Sequence, residues 1–306
     1  METELLTPDE AGLQKAAGLI REGQVVGMPT ETVYGLAADA TNRDAVAKVF
    51  AAKGRPMDNP LIVHISSMEE LEQAVSRVPE LVASLADAFW PGPLTMIMPK
   101  SERIPMETSG GLDTVGVRMP SHPVAQALIR TAGVPIAAPS ANRSGYPSPT
   151  TAQHVLADMQ GRIPAILDGG ACSCGLESTV VTFDDDRTVR ILRPGFVTKE
   201  MLLEHVPNVV IDPAIFRQVS ASEKVASPGM KYKHYAPNAA VTLVEGSPEL
   251  FRQFLALQQA DGVYALIFDG DAEQFPYPHM TYGGTSIEQG RQLFARLREL
   301  DQIGAK

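Results

Sequence analysis

Several short segments of this chain combine cations, hydroxyls and small residues in ways that could hold a charged small molecule. KGRPMDNPLIVH at 53–64 brings Lys53 and Arg55 together with Asn59 and His64. Two cations beside a glycine and two prolines suit a rigid anion-binding turn. TVGVRMPSHP at 114–123 starts at Thr114 and puts Arg118 at a strand end. An arginine there can clamp a carboxylate or phosphate through two parallel hydrogen bonds. PIAAPSANRSGYPSPTTA at 135–152 is rich in small polar residues: Ser140, Asn142, Ser144 and Ser148 offer donors with little bulk. PTETVYGLAADA at 29–40 carries Thr30, Thr32 and Tyr34. LDGG at 167–170, GLESTVV at 175–181 with Ser178, and LRPG at 192–195 with Arg193 add further donors and glycines. Each segment also has a plainer reading as a capped turn, a solvated helix end or a loop. His64 alternates with Val63 and Ile65 and so faces the other side of the strand; such a histidine, taken alone, is more often a satisfied core residue. Together they read as one ligand cleft assembled from many loops.

The common nucleotide and hydrolase signatures are missing. The chain has no G-x-x-x-x-G-K-[ST] phosphate loop, no G-x-G-x-x-G turn and no H-E-x-x-H helix. It has no G-x-S-x-G elbow either. The two cysteines, Cys172 and Cys174, both lie in CSCG. That is too few for a cysteine zinc site or a disulfide framework, so they read as reduced thiols in a loop. A formal net charge of −10 repels phosphates over most of the surface, so no strong direct binding of nucleic acid is expected. No apolar run reaches the roughly 18 residues that span a bilayer. The start METELLTPDE is acidic, unlike a secretory signal or a transit peptide, and a cytoplasmic location is expected.

The elements that must position these residues alternate between helix and strand. Thr7 is expected to cap a first helix, with Pro8 in its first turn, Leu13, Ala16, Ala17 and Ile20 as its apolar stripe, and Gly23 as its stop. Asn42 is expected to cap a second helix that Gly54 ends. Strands are expected at 25–28, 61–65, 94–98, 114–118, 136–139, 165–167, 178–183 and 189–192. Further helices are expected at 69–77, 79–89, 123–132 and 151–159. This order implies an α/β or α+β sheet with covering helices, mixed because some strands follow each other directly. After about residue 205 the prolines Pro207, Pro213, Pro228 and Pro237 mark a long connection over 206–240. Its SPGMKYKHYAP core at 227–237 is too aromatic and cationic for a passive linker. A small α/β unit over 241–306 follows, with strands at 241–245 and 262–267 and helices at 248–258 and 286–300.

Residues 29–36, 53–64, 92–95, 114–123, 135–152, 175–181 and 192–195 closely resemble the YrdC-like family. SPGMKYKHYAP and the unit behind it resemble the family's two-domain type of threonylcarbamoyl-AMP synthase. The resemblance implies a twisted open mixed sheet over 1–205 with a positively lined cavity. It implies a connector that folds over the cavity mouth, and a smaller Rossmann-like α/β domain at the end. Relatives of this type commonly continue into further strand and helix where this chain reaches LRELDQIGAK, so the small domain is expected to be either naturally short or truncated. Thr182 stands where relatives often have an acidic residue.

The implied activity is L-threonylcarbamoyladenylate synthesis from ATP, L-threonine and bicarbonate, with Mg2+ arriving on ATP. By the same resemblance Thr32, His64, Arg118, Ala138 and Ser178 line the threonine and bicarbonate pocket. Lys53, Arg55, Asn59, Thr114, Ser140, Asn142, Ser148 and Arg193 hold ATP. Tyr235 closes over the nucleotide, with His234 and Tyr232 as lesser candidates. Lys53, Arg55 and Arg118 are the catalytic candidates, acting by charge and position. The implied downstream partner is a transferase complex that modifies adenosine 37 of ANN-decoding tRNAs. Carbamoyl-transferring maturation proteins share the domain type but carry zinc-finger and acylphosphatase segments that are missing here. The rival from a different class is an RNA-binding regulator of translation without catalysis, which the acidic charge disfavours.

Overall fold

The computed structural model describes residues 2–54, 57, 59–216, 236–258 and 261–306. The chain begins β1 (Glu4–Leu6), α1 (Glu10–Arg21), β2 (Val26–Met28), β3 (Gly35–Asp39), α2 (Arg43–Lys53) and β4 (Ile62–His64). It continues α3 (Leu71–Ala74), α4 (Leu81–Phe89), β5 (Leu94–Pro99), α5 (Met106–Ser109), β6 (Thr114–Arg118) and α6 (Pro123–Ala132). Then come β7 (Ile136–Ala137), α7 (Ala152–Met159), β8 (Ala165–Leu167), β9 (Thr179–Asp185), β10 (Thr188–Arg193), α8 (Lys199–Leu203) and β11 (Asn208–Ile211). The last part holds α9 (Pro248–Leu257), β12 (Ala265–Ile267), β13 (His279–Thr281) and α10 (Ser286–Gln302).

Among the described residues, eleven strands form one twisted mixed sheet in the order β1-β8-β2-β3-β7-β4-β6-β5-β9-β10-β11. β4 and β6 run parallel, while β5 runs antiparallel to β6 and β7 antiparallel to β4. β12 and β13 pair parallel as a separate small sheet.

The strand period of two sorts side chains onto two faces. On one face Leu36, Ala38, Val63, Val115, Val117 and Val181 join the main core beneath α2, α4 and α7. On the other face Val26, Met28, Ala37 and Ile136 pack under the apolar stripes of α1 and α6. Each fully buried aliphatic side chain contributes about 1.5–3 kcal/mol. The cover from α1 and α6 stops short of β5 and β9. There a small separate cluster, Ile62, Ile97, Val180 and Leu192, forms a floor. One half of one sheet face is thus left for something other than core.

Local signals explain most element ends. The Asn42 side chain accepts from the backbone N–H groups of Asp44 and Ala45. Gly54 ends α2 at φ 65°, a left-handed backbone that glycine adopts without strain.

Four expectations are corrected. Asp9, not Thr7, caps α1, because its carboxylate reaches the Gly12 N–H while Thr7 donates its hydroxyl to Asp9. The helix expected at 69–77 shrinks to α3. Residues 241–245 form no strand: Val241 and Leu243 are exposed, and β12 pairs instead with β13. The large sheet also extends past residue 205, because β11 adds to β10 in parallel. No helix among the described residues is long and apolar enough to cross a membrane.

Candidate active site

β6 carries the centre of the site. Thr114, Gly116 and Arg118 are two residues apart and share the uncovered face, while Val115 and Val117 point into the core. β4 lies alongside in register, with Ile62 beside Gly116 and His64 beside Arg118. Gly116 lies low in this floor: a Cβ there would sit 3.1 Å from Thr95 Cγ2 and 3.7 Å from Ile62 Cγ1. A hydroxyl, a gap and a guanidinium therefore follow one another along a single strand.

The segment before β3 closes over the Arg118 end. Arg118 donates from Nη1 to Thr32 Oγ1 at 2.8 Å and from Nε to the Gly92 carbonyl at 3.2 Å. Thr32 Oγ1 lies 2.9 Å from Thr30 Oγ1. Glu31 brings Oε1 to 2.6 Å from Arg118 Nη2, with both side chains 5 % exposed. The two groups are thus paired as ions at contact distance, away from water. Burial pushes the Glu31 carboxyl up, and the adjacent guanidinium more than offsets it, holding Glu31 ionised.

His64 is fully desolvated beside that cation. Burial first, and then the Arg118 charge, push its pKa down to about 3. Its Nδ1 lies 3.2 Å from the Ile62 carbonyl. At neutral pH it is therefore an uncharged hydrogen-bonding group. Burial also drives His154 down to about 4.

The other expected residues fall into linked groups. Ala138 follows β7, and its N–H donates to the Ile62 carbonyl at 3.0 Å. Ser178 Oγ lies 2.8 Å from Thr95 Oγ1 and accepts from Arg193 Nη2 at 3.1 Å. Arg193 Nη2 also donates to the Ser178 carbonyl at 2.8 Å. Lys53, the last residue of α2, reaches the 139–150 loop. It donates to the Asn142 carbonyl at 2.9 Å and to the Ser140 carbonyl. Asn142 Nδ2 folds the loop by donating to the Arg143 and Tyr146 carbonyls, each at 2.9 Å. Ser148 donates its hydroxyl to Glu177, the neighbour of Ser178. Asn59 is fully buried just before β4. Arg55, Tyr232, His234 and Tyr235 lie outside the described residues.

Buried polar atoms normally find partners. Among the described residues the side-chain atoms without an aligned hydrogen bond, apart from Arg296 Nε, belong to Glu31, Asn59, Arg118 and Asn142, and of these Glu31 and Arg118 are paired with each other as ions. Three of these four were candidates from the sequence. Glu31 was not, and neither were Thr95 or Gly116. The alternation in TVGVR could have flagged Gly116, but Glu31 acquires its role only when β6 arrives beside it. Cys172 and Cys174 are free, buried thiols. Burial pushes both up, which keeps them protonated and unreactive.

The depressed histidines set an acid dependence. A histidine whose folded pKa is below its unfolded value of 6.5 costs no stability above pH 6.5. Below that the unfolded chain takes up a proton that the folded chain refuses. Stability is therefore expected to fall as pH drops from 6.5 towards about 4 for His154 and about 3 for His64. Each group contributes a slope of up to about 1.4 kcal/mol per pH unit. Urea titrations across this range check it, and His64→Gln should flatten the curve. An equally steep curve for that variant would contradict the assignment.

An open mixed sheet with hydroxyls, cations and buried amide groups gathered at one face defines an α/β protein with a candidate site for small charged reactants. A family model described as "Telomere recombination" (Sua5, YciO and YrdC) matches residues 18–195, and one described as "Threonylcarbamoyl-AMP synthase, C-terminal domain" matches 197–306. The chain belongs to this Sua5/YrdC family, with both of its domains. It is 49 % identical over 261 residues to the threonylcarbamoyl-AMP synthase of Bacillus subtilis, covering 85 % of this chain and 74 % of that one. The Pyrococcus abyssi threonylcarbamoyl-AMP synthase is 46 % identical, over 97 % of this chain and 87 % of its own. The crystal structure of P. abyssi Sua5 complexed with L-threonine superposes with a TM-score of 0.91 at 42 % identity, covering all of this chain and 90 % of that one.

Proposed function

We infer that this chain makes threonylcarbamoyl-AMP and pyrophosphate from L-threonine, bicarbonate and ATP, a nucleotidyl transfer. The observation that carries this reading is the buried Arg118–Glu31 ion pair on the strand floor together with the Asn59 amide and Asn142 Oδ1, which are buried without hydrogen-bond partners. Desolvated groups of this kind cost about 1–3 kcal/mol each unless a ligand meets them. The two-domain relatives named for this activity support it.

In this reading the threonine amine attacks the bicarbonate-derived carbon, and the amine proton leaves with the bicarbonate hydroxyl as water, giving a carbamate. A carbamate oxygen attacks the α-phosphorus of ATP, and the bond to the β-phosphate oxygen breaks. Arg118 faces the threonine carboxylate, and Thr32, neutral His64, Ala138 and Ser178 enclose the amino acid. Lys53, Arg55, Asn59, Thr114, Ser140, Asn142, Ser148, Arg193 and Tyr235 hold the nucleotide. Holding the partners together contributes about 7–11 kcal/mol, and cations at the phosphorus add to that. No group of three or more His, Cys, Asp or Glu among the described residues could hold a metal ion. In this reading magnesium comes with ATP, held mainly by phosphate oxygens and water. The product is a mixed anhydride suited to a cytoplasmic transferase that modifies adenosine 37 of ANN-decoding tRNAs.

The test is pyrophosphate release from ATP, threonine, bicarbonate and magnesium. Release that stops when threonine is omitted supports the reading; release that continues without threonine, or no release with all present, refutes it.

A further inference from the structure

The C-terminal domain sends one arginine into the catalytic domain. Arg298, on α10, is 8 % exposed, although it carries a full charge. Its guanidinium spans two elements of the first domain. Nε and Nη2 donate to the Pro147 carbonyl at 3.1 and 2.6 Å. Nη1 and Nη2 donate to the two Asp158 carboxylate oxygens at 3.3 and 2.6 Å. Asp158 lies on α7 and is 6 % exposed.

A buried ion pair is a poor source of stability, because desolvation offsets the attraction. What a planar fork supplies is position. Pro147 precedes Ser148, whose hydroxyl goes to Glu177, beside Ser178. The second loop is also seated on α10. A Cβ on Gly175 would lie 2.4 Å from the Arg291 carbonyl oxygen, so only glycine lets the loop approach this closely. A Cβ on Gly290 would lie 3.1 Å from Leu176 Cδ1.

The same helix holds the end of the connector. Asp301, one turn beyond Arg298, accepts from the Asn238 N–H at 2.8 Å and from the Ala239 N–H at 3.2 Å. Ala236 N–H in turn donates to the Gly145 carbonyl at 2.9 Å. One helix of the small domain thus fixes the 145–148 loop, the 175–177 loop and residues 236–239.

We propose that Arg298 is a positioning residue for nucleotide binding, acting through Pro147 to set Ser148, and that α10 gives the C-terminal domain this task. The proposal rests on the reading of Ser148 as an ATP ligand. Its test uses the full chain, with kcat and KM measured separately for ATP and for threonine in the pyrophosphate assay. Arg298→Ala is expected to raise the KM for ATP about tenfold or more, the scale of a lost charged hydrogen bond, with a smaller change in the KM for threonine. Arg298→Lys keeps the charge but not the fork, and a rise of about threefold or more in the ATP KM is expected. Asp158→Asn keeps the Pro147 contacts and should fall between wild type and Arg298→Ala. If Arg298→Ala does not fold, Arg298→Lys decides. A folded variant with unchanged ATP KM, or equal losses for both substrates, overturns the proposal. A wild-type chain that releases no pyrophosphate overturns the functional reading instead.

Discussion

Arg118→Ala is expected both to destabilise the fold by about 3–5 kcal/mol and to abolish threonine-dependent pyrophosphate release. The first effect follows from Glu31, which is 4 % exposed and loses its only ion-pair partner among the described residues. An ionised carboxylate stranded at that depth is costly. The second follows from removal of the one cation on the uncovered face of β6. The two effects separate in a double variant. Arg118→Ala with Glu31→Ala removes both charges, so much of the lost stability should return in urea titrations. Activity should not return, because nothing remains to face the threonine carboxylate. A double variant that turns over at the wild-type rate would exclude Arg118 from the site.

The half of this architecture that depends on short range was legible in the sequence. TVGVR reads as a strand with Arg118 at its end, and β6 spans those residues. Asn42 and Gly54 bounded α2 through contacts within three residues of each end. The placement of His64 on the face opposite Val63 also followed from period two alone, and its neighbour turned out to be Arg118.

What stayed hidden depends on elements far apart in the chain. Glu31 sits in PTETVYGL as an ordinary turn acid until β6, nearly ninety positions later, brings Arg118 against it. The Val241 to Glu245 segment alternates like a strand, yet Val241 is 68 % and Leu243 82 % exposed. Its pattern was right for a strand that had nothing to pair with. β12 took β13 as its partner, a segment whose His-Met-Thr sequence has no clear strand period. β11 was missed for the opposite reason: flanking prolines at 207 and 213 masked a four-residue strand that β10 recruits.

These same long-range contacts explain how a floor with few charges holds a charged site. The cations do not line an open surface; each is fixed by backbone carbonyls, and those of Arg193 and Lys53 belong to loops that also carry candidate ligands. Arg193 is held on Ser178, Arg118 on Gly92 and Lys53 on the 139–150 loop. Removing such a cation should therefore disturb the loop as well as the local charge.

Lys53→Met is the sharpest case. The substitution keeps most of the side-chain stem, so packing at the end of α2 survives. It removes the ammonium that bonds the Ser140 and Asn142 carbonyls. Each lost charged hydrogen bond costs about 1.5–3 kcal/mol. The loop keeps its backbone bonds to Tyr34 and Leu36 and the Arg298 contact at Pro147, but loses both bonds from the ammonium in its 140–142 part. The KM for ATP is expected to rise about tenfold or more, with thermal stability lowered to match. Because Lys53 and Arg298 restrain the same loop from its two ends, their effects should not add. The double variant Lys53→Met/Arg298→Ala should raise the ATP KM by less than the product of the single changes, since a loop already released at one end has less order left to lose. Strictly multiplicative effects would mean that the two cations act on separate parts of the site and that the loop between them is not the element they share.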